Sequence, residues 1–239
     1  MDSLAPSTPA LDLSALDAVI GEQADRLAAA QRADGHWVFE LEADATIPAE
    51  YILYHHYLGE LDDAYARELE PKIAVYLRRI QGTHGGWPLF HGGDFDMSAS
   101  VKAYFALKMA GDDIEAPHMR RAREAILAHG GAARANVFTR SLLALWEEVP
   151  WRAVPAMPVE IVLLPKWFPF HLSKVSYWSR TVIAPLIVLM ALKPRAKNPR
   201  GVRIAELFAE PPETVRRWHH NPTGEFAGKM LLFADKVLR

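Results

Sequence analysis

The sequence predicts an all-α protein built from repeated helical units, on three observations. Apolar residues recur at helical spacing in one segment after another, and Gly or Pro stands at several of the segment boundaries. No run of Val, Ile or Thr alternates with polar residues as a strand would require. A pattern of Gln, three residues, Gly, one residue and Trp occurs twice, 50 residues apart, which indicates a helical repeat array.

In each copy of this pattern a helical segment ends in Gln, and Gly and Trp follow four and six positions later. The two copies are Gln31, Gly35, Trp37 and Gln81, Gly85, Trp87. Gly permits the turn at which a helix stops, Trp can cover the helix end, and the Gln amide can bond backbone groups left free there. We therefore expect both Trp side chains to be mostly buried and packed on their Gln. The alternative is two unrelated helix ends that both carry Trp.

The N-terminal region combines a leader, a helix and an acidic loop. Residues 1–13 are rich in Pro, Ser and Thr and are predicted to form a loose leader. Ser14 begins a capping-box pattern, so we expect it to open a helix with one apolar stripe as far as Gln31. The segment after Trp37 is predicted to be a loop that leads to Pro48, a favourable first-turn residue for the next helix. This loop contains the acidic residues Glu40, Glu42 and Asp44.

The middle of the chain is predicted to contain six helices in succession. They span residues 49–58, 61–69, 71–80, 98–110, 117–129 and 137–148. Pro71 and Pro117 each stand at the first position of a helix, where the missing N–H removes no hydrogen bond. Gly111 and the pair Gly130–Gly131 stand where two of the helices are predicted to stop.

The last third of the chain is less regular. Residues 150–169 contain five prolines among aromatic residues, so we expect a long ordered connection pinned by those aromatics rather than a regular helix. Ser173 is predicted to cap a helix that runs to about Leu192, with Pro185 as a kink. An amphipathic helix is predicted from about Gly224. The chain ends inside that helical pattern, which favours a truncated product, with a frayed final helix as the alternative.

Composition excludes several classes of protein. The chain has 239 residues, a formal charge of −2 and no Cys. Nucleic-acid binding is therefore not expected, and disulfides, thiolate metal sites and Cys nucleophiles are excluded. The absence of Cys fits a cytoplasmic protein. The N-terminus has no signal-peptide pattern, and the longest apolar run, Val182–Leu192, is shorter than the ~20 residues that span a bilayer.

Signatures of other enzyme classes are missing from the sequence. There is no Gly-rich phosphate loop with Lys, no G-x-S-x-G elbow and no DDxxD pattern for Mg²⁺-dependent diphosphate chemistry. The pairs His55–His56 and His219–His220 make poor metal ligands, because neighbours on a helix point about 100° apart. The basic segment Arg216–His220 is predicted to be a solvated face, with a surface basic patch as the alternative.

The Gln-x-x-x-Gly-x-Trp pattern resembles the QW repeat of the squalene–hopene and oxidosqualene cyclases. Further segments resemble landmarks of the bacterial squalene–hopene cyclases and occur in the family's order. They are Val137–Arg140, Pro150–Trp151, Pro155–Glu160 and Tyr177–Arg180. The resemblance covers about residues 14 to 210, whereas such cyclases are usually well over twice as long as this chain. It implies an α/α-barrel (toroid) of helical repeats, apparently truncated, in which residues 14–239 are the N-terminal portion and the second, Asp-rich catalytic barrel is absent.

The resemblance implies proton-initiated polycyclisation of squalene to hopene or hopanol, with no metal or organic cofactor. This chemistry needs a strong, dry acid and a cavity whose aromatic walls stabilise carbocations. The family's acid lies in an Asp-x-Asp-Asp motif that this chain lacks, so we expect the segment to be inactive alone. The nearest acidic clusters are predicted to be solvated caps: Asp62–Asp63, Asp94-Phe95-Asp96 and Asp112–Asp113.

Three residues are assigned to the cavity by the resemblance. Phe138 and Trp178 match positions that line it, with ordinary core aromatics as the alternative. Glu50 matches a Glu in a polar network at one cavity end, and its alternative is an exposed first-turn Glu favoured by the helix dipole. Lys102 stands where some family members have an acidic residue, and Asn136 stands where some have Arg. These two departures put the same network in doubt here.

The resemblance also implies several partners. They are squalene or a similar apolar polyene, a missing C-terminal half or second chain, and a membrane surface. A half-enzyme that exposes apolar surface is also expected to bind another copy of the chain. The family's monotopic proteins suggest a peripheral location on the cytoplasmic side of the membrane. The terminal helix has a broad apolar face with Lys229 and Lys236 beside it, which would enter the membrane or pack on the absent barrel. The competing function is a non-catalytic helical-repeat module that binds an apolar ligand or a partner chain, and a two-chain cyclase is a third possibility.

Overall fold

A computed structural model describes residues 12–39, 44–61, 64–169, 171–219 and 224–237. Within these residues there are eight α-helices, five short 3₁₀ helices and no strand, with one isolated antiparallel bridge between Trp87 and Asp96. The prediction of an all-α protein is confirmed. By contact the chain divides into two units, Met1–Glu42 and Ala43–Arg239.

The first unit contains helix α1, Leu13–Ala30. The side chain of Asp12 accepts hydrogen bonds from the backbone N–H groups of Ser14 and Ala15, so Asp12 is the cap and the prediction that Ser14 opens the helix is wrong. No residue of α1 is buried, and its predicted apolar stripe is exposed to solvent. The boundary at residue 13 stays a prediction, because residues 1–11 lie outside the described part. Glu40 and Glu42 also lie outside it.

The second unit contains the other seven α-helices. They are α2 Thr46–Leu58, α3 Ala64–Arg79, α4 Met97–Met109, α5 Pro117–Ala128, α6 Val137–Leu145, α7 Tyr177–Leu192 and α8 Phe226–Val237. Helix α4 lies at the centre and contacts α2, α3, α5 and α6. Every residue from Ser98 to Leu107 is buried, together with Met109, so α4 is enclosed on all sides rather than amphipathic.

Several predicted helix boundaries are wrong, among them the start of α2, which lies at Thr46 rather than at residue 49. The segments 61–69 and 71–80 form one helix, α3, with Pro71 inside it, because the buried side chains of Ala74 and Leu77 hold the helix against the core. Helix α6 stops at Leu145 rather than at residue 148, since Glu147 adopts a left-handed backbone conformation with φ of 58°. Helix α7 begins after Ser176, not Ser173.

The connection between α6 and α7 is ordered and contains no α-helix, as predicted. It contains 3₁₀ helices at Trp151–Ala153 and Val159–Leu163. Its backbone is fastened to α8 by the N–H of Ala156, which donates to Asp235 at 2.6 Å. The prediction that aromatics pin this connection is wrong at Trp167, which is exposed. No helix in the described ranges is both long and apolar enough to cross a membrane.

Candidate functional site

The second copy of the repeated pattern joins two helices through Gln81. Its side-chain amide N–H group donates to the carbonyl oxygen of Gly85 at 2.6 Å and to that of His118 in α5 at 2.8 Å. Arg121 of α5 donates in turn to the amide oxygen of Gln81 at 2.8 Å. Both amide donors and one acceptor site of Gln81 are therefore used to fix the exit of α3 against α5.

Trp87 is the anchor of this copy. Its side chain is fully buried, and its indole N–H donates to the carbonyl oxygen of Leu77 at 2.8 Å. Gly85 has φ of +89°, and an added Cβ atom would lie 2.8 Å from the carbonyl oxygen of Arg121. Only Gly fits this turn, because α5 approaches its backbone and the conformation is left-handed.

The first copy has the same internal geometry. Gln31 donates to the carbonyl oxygen of Gly35 at 2.7 Å, and the indole N–H of Trp37 donates to that of Leu27 at 2.6 Å. In both copies the indole partner lies ten residues before the Trp, a contact that the pattern did not predict. The two copies therefore share the hydrogen bonds from Gln to Gly and from the indole to the preceding helix, which agrees with the repeat interpretation.

The two copies differ in how deeply their Trp side chains are buried. Trp37 is 47% exposed, so the prediction that both Trp side chains are mostly buried is confirmed for Trp87 and wrong for Trp37. The physical reason is the neighbour of Gln81: helix α5 covers the second copy, and no second helix occurs among the described residues of the first unit.

Phe138 and Trp178 each stand in the first turn of a helix, α6 and α7 respectively. Phe138 is 55% exposed and Trp178 is 77% exposed. Neither side chain belongs to the hydrophobic core, so the alternative that they are ordinary core aromatics is wrong. Their role on a cavity wall stays a prediction.

Glu50 of α2 pairs with Lys102 of α4, with 2.5 Å between the Nζ and Oε1 atoms. The Lys102 side chain is 8% exposed, so this cation enters the core with a carboxylate beside it. Helix α2 begins at Thr46, which makes Glu50 its fifth residue, so the alternative of an exposed first-turn Glu is wrong. Asn136 caps α6 by accepting a hydrogen bond from the N–H of Thr139. The two residues that differ from the family pattern thus both have partners here: Lys102 pairs with Glu50, and Asn136 caps α6. The place of Glu50 in a cavity network stays a prediction.

The acidic clusters divide into caps and one ion-paired group. Asp96 caps α4 and Asp113 accepts from the backbone of Glu115, as predicted. Asp112 is no solvated cap, because its side chain is 8% exposed and it bonds both Arg78 and His118. Asp62 and Asp63 lie outside the described residues. Among the residues described, no group of three or more His, Asp or Glu side chains is placed to hold a metal ion.

The surroundings of Asp112 set its protonation. Burial alone would raise the pKa of this carboxyl, but hydrogen bonds and charge from Arg78 and His118 outweigh burial and lower the pKa below its usual value. A carboxyl whose pKa is lowered on folding adds stability above its unfolded-state pKa, and that stability is lost as the pH falls through the folded-state value.

We therefore expect Asp112→Asn to flatten the acid side of the stability curve. Wild type should lose unfolding free energy as the pH falls below about 3.8, the ordinary pKa of an Asp, while the variant should lose less. At neutral pH the variant should be about 1–3 kcal/mol less stable, because charged hydrogen bonds are removed. Urea unfolding across the pH range measures both effects. Asp113→Asn is the matched control, and equal acid limbs in wild type and Asp112→Asn would contradict the prediction.

The sequence does not indicate a role for Glu148, which lies three residues after the end of α6. It is 7% exposed, and burial raises its pKa although the backbone N–H of Ile204 and the side chain of Arg203 both bond to it. The sequence predicts Glu148 as the last residue of the helix 137–148, a position that does not indicate burial.

Comparison with known proteins places the chain in a family. The sequence model for the squalene-hopene cyclase N-terminal domain matches residues 20–239, which is most of the chain. The chain belongs to the squalene–hopene cyclase family. The predicted resemblance is thereby confirmed, and so is the interpretation of the chain as an N-terminal part with the helical fold of that domain.

Individual relatives agree with this family. The chain is 61% identical over 210 residues to a squalene–hopene cyclase of Bradyrhizobium diazoefficiens, which covers 87% of this chain and 31% of that protein. It is 66% identical over 178 residues to a squalene–hopene cyclase of Zymomonas mobilis, in an alignment that covers 74% of this chain and 27% of that protein. A dammaradiene synthase of Dryopteris crassirhizoma is 34% identical over 195 residues, in an alignment that covers 82% of this chain and 28% of that protein. The chain spans less than a third of the length of these relatives.

Proposed function

We propose that this chain is the N-terminal segment of an enzyme that cyclises squalene to hopene or hopanol, and that it supplies part of the wall of the substrate cavity. The observation that carries this proposal is the exposure of Trp178 and Phe138, two aromatics that the resemblance assigns to the cavity. A soluble fold gains stability by burying large aromatic side chains. Exposed aromatics in the first turns of two helices therefore suit contact with another apolar surface.

An aromatic wall serves a cation-forming reaction directly. The face of an indole or phenyl ring attracts a carbocation without forming a bond to it, at about 0.5–2 kcal/mol per contact. Tyr177, beside Trp178, is also 74% exposed, so α7 begins with two exposed aromatic rings. Water must be kept from such a site, and this requires a further surface over these rings.

The initiating proton comes, in this proposal, from residues outside the present sequence. The described carboxylates with defined partners act as caps, ion pairs or acceptors from distant backbone groups, as at Asp96, Asp112 and Asp235. The most buried of them, Glu148, accepts from the Ile204 backbone and from Arg203. The segment alone is accordingly expected to give no cyclised product.

Helix α1 supports a role for a further part of the enzyme or a second chain. Its apolar side chains follow one stripe at helical spacing, yet all are exposed: Leu13, Leu16, Val19, Ile20 and Leu27. Trp37 at its exit is half exposed as well. We propose that the remaining part of the cyclase covers this stripe, as α5 covers the second copy of the repeat.

A peripheral position on the cytoplasmic face of a membrane belongs to the same proposal. Helix α8 supports it, since five of its apolar side chains are exposed and Lys229 and Lys236 lie beside them. The ligand taken from that membrane would be squalene or a similar apolar polyene. In the absence of a membrane, the same exposed apolar surfaces would bind another copy of the chain.

A hybrid enzyme tests the proposed function. The matching N-terminal part of the Bradyrhizobium diazoefficiens cyclase is replaced by this chain, and the hybrid and the isolated segment are each incubated with squalene. We expect hopene or hopanol from the hybrid and none from the segment. Trp178→Ala in the hybrid should lower the rate about 2- to 30-fold, which corresponds to the loss of one cation–π contact.

Trp167→Ala provides the matched control for this test. Trp167 is 76% exposed, almost the same as Trp178, but it lies in the connection rather than at a cavity position. Its replacement should leave the rate unchanged. A hybrid that folds by circular dichroism but makes no product would favour the non-catalytic helical-repeat module instead, and product from the isolated segment would relocate the acid to this chain.

A further inference from the structure

An open cavity of about 930 Å³ lies between residues 130–140 and residues 209–218. Four arginines line it: Arg134, Arg140, Arg216 and Arg217. Among its described lining residues Glu210 is the one acidic side chain. A hydrocarbon in the cavity would displace the water around these charges and offer no hydrogen bonds in its place, so the cavity does not suit the proposed polyene substrate.

Arg140 brings a positive charge into the wall of this cavity without a matching anion. The side chain is 8% exposed, and its Nη1 donates to the carbonyl oxygen of Trp218 at 2.5 Å. Its Nε is buried and has no hydrogen-bond partner, and no carboxylate in the described ranges pairs with it. Burial lowers the pKa of Arg140, and no neighbouring acid opposes that effect. Buried guanidinium groups are normally matched by an anion.

Trp218 adds a second unmatched donor to the same wall. It is 7% exposed, and its indole Nε1 is buried without a partner. Buried polar groups are nearly always hydrogen-bonded, so two such donors on one cavity are unusual. The exposed side chains of Arg134, Arg216 and Arg217 surround them, and none of these three forms an ion pair within the described residues.

The walls of the cavity are fixed by backbone contacts. Gly131 has φ of +78°, and a Cβ atom there would lie 2.8 Å from the backbone N of Ala209 and 2.9 Å from the carbonyl oxygen of Leu207. The facing segment is also fastened by Arg152, which donates to the carbonyl oxygen of Glu213. A site whose walls are already in place loses little conformational entropy when it binds a ligand.

The cavity and the proposed aromatic wall lie on different sides of α6. Phe138 and Arg140 are two residues apart, which places their side chains about 200° apart around the helix. This agrees with their burial, since Phe138 is exposed and Arg140 is not. One helix thus presents an aromatic ring on one side and an unpaired guanidinium on the other.

We propose that this cavity binds a phosphate group, carried either by a free phosphate compound or by the headgroup of an anionic lipid. Guanidinium groups match phosphate oxygens through paired, charge-assisted hydrogen bonds, and the multiple charge of a phosphate suits several converging arginines better than a single carboxylate does. The site is separate from the proposed cyclase function and does not depend on it.

Two probes test the site and distinguish the sources of the phosphate. Pyrophosphate is titrated into the chain by calorimetry at constant ionic strength, and vesicles of phosphatidylcholine with or without phosphatidic acid are used in flotation. Arg216→Gln with Arg217→Gln should weaken binding at least about tenfold, because two charge-assisted contacts are lost. Arg32→Gln with Arg120→Gln removes the same charge at exposed positions outside the cavity and should change binding less than about twofold. Circular dichroism checks the fold of both variants.

The outcomes are separable. Saturable pyrophosphate binding with no preference for phosphatidic acid supports a free phosphate compound. A preference for phosphatidic acid vesicles that pyrophosphate competes away supports a lipid headgroup. The proposal is overturned if neither probe binds saturably, if the control pair weakens binding as much as the cavity pair, or if an acidic glutamate peptide binds while both phosphate probes do not.

Discussion

Replacing Trp87 with Ala is expected to lower the free energy of unfolding by about 3–5 kcal/mol, the largest single effect on stability that we predict. The side chain is fully buried, so the substitution leaves a large cavity under the exit of α3. It also leaves the carbonyl oxygen of Leu77 without its indole partner. The measurement is the shift in the midpoint of urea unfolding followed by circular dichroism, with the slope of the transition as a check on two-state behaviour.

Trp37→Ala is the matched control, because the same substitution is made at the same position of the other copy. Trp37 forms the same indole hydrogen bond, to Leu27, but its side chain is 47% exposed. We expect a loss below about 1 kcal/mol, as for substitutions outside a core. Equal losses at both positions would mean that the hydrogen bond rather than burial determines stability, and a loss below about 1 kcal/mol at Trp87 would contradict its role as an anchor.

This pair of residues also shows how far the sequence predicts the structure. The turn at Gly, the bond from Gln to Gly and the position of Trp depend on residues within one short segment, and both copies follow the pattern. Burial of the Trp depends on a helix elsewhere in the chain. His118 and Arg121 complete the second copy from α5, almost forty residues away, and the spacing within the pattern does not contain that information.

The helix ends show the same division between local and distant causes. Pro71 was expected to start a helix because the residue lacks an N–H group, but burial of Ala74 and Leu77 keeps it inside α3. At Ser173 and Ser176 two caps compete within one short segment, and the observed helix uses the second. Propensity alone cannot choose between such neighbouring caps.

For the candidate site, the sequence predicts which residues matter better than it predicts which side chains contact one another. The pairing of Glu50 with Lys102 joins α2 to α4, so neither residue alone indicates it. The resemblance located Phe138 and Trp178, but only the structure shows that they lie outside the core. Arg140 belongs to one of the landmark segments, whereas its burial without an anion involves Trp218, which is far away in sequence.

Helix α8 gives the basis for the second large effect, on membrane binding. Phe226, Met230, Phe233 and Val237 are all exposed, and their spacing places them within one narrow stripe. Asp235 projects from the opposite side of the helix and accepts the hydrogen bond from Ala156. The stripe therefore faces away from the contact that holds α8, and these four side chains do not pack onto the core of the chain.

Changing both Met230 and Phe233 to Glu is expected to lower the partition of the chain onto liposomes at least tenfold. Each apolar side chain contributes about 1.5–3 kcal/mol when it leaves water, and each Glu adds a charge that resists transfer. Val75→Glu with Leu127→Glu places the same charges at exposed apolar positions of α3 and α5 and should leave partition unchanged. Flotation measures partition, sedimentation measures self-association, and circular dichroism confirms the fold. Because the stripe is already exposed, neither pair should unfold the chain. A wild-type chain that stays monomeric and ignores liposomes, or a control pair that loses binding equally, would contradict the role assigned to α8.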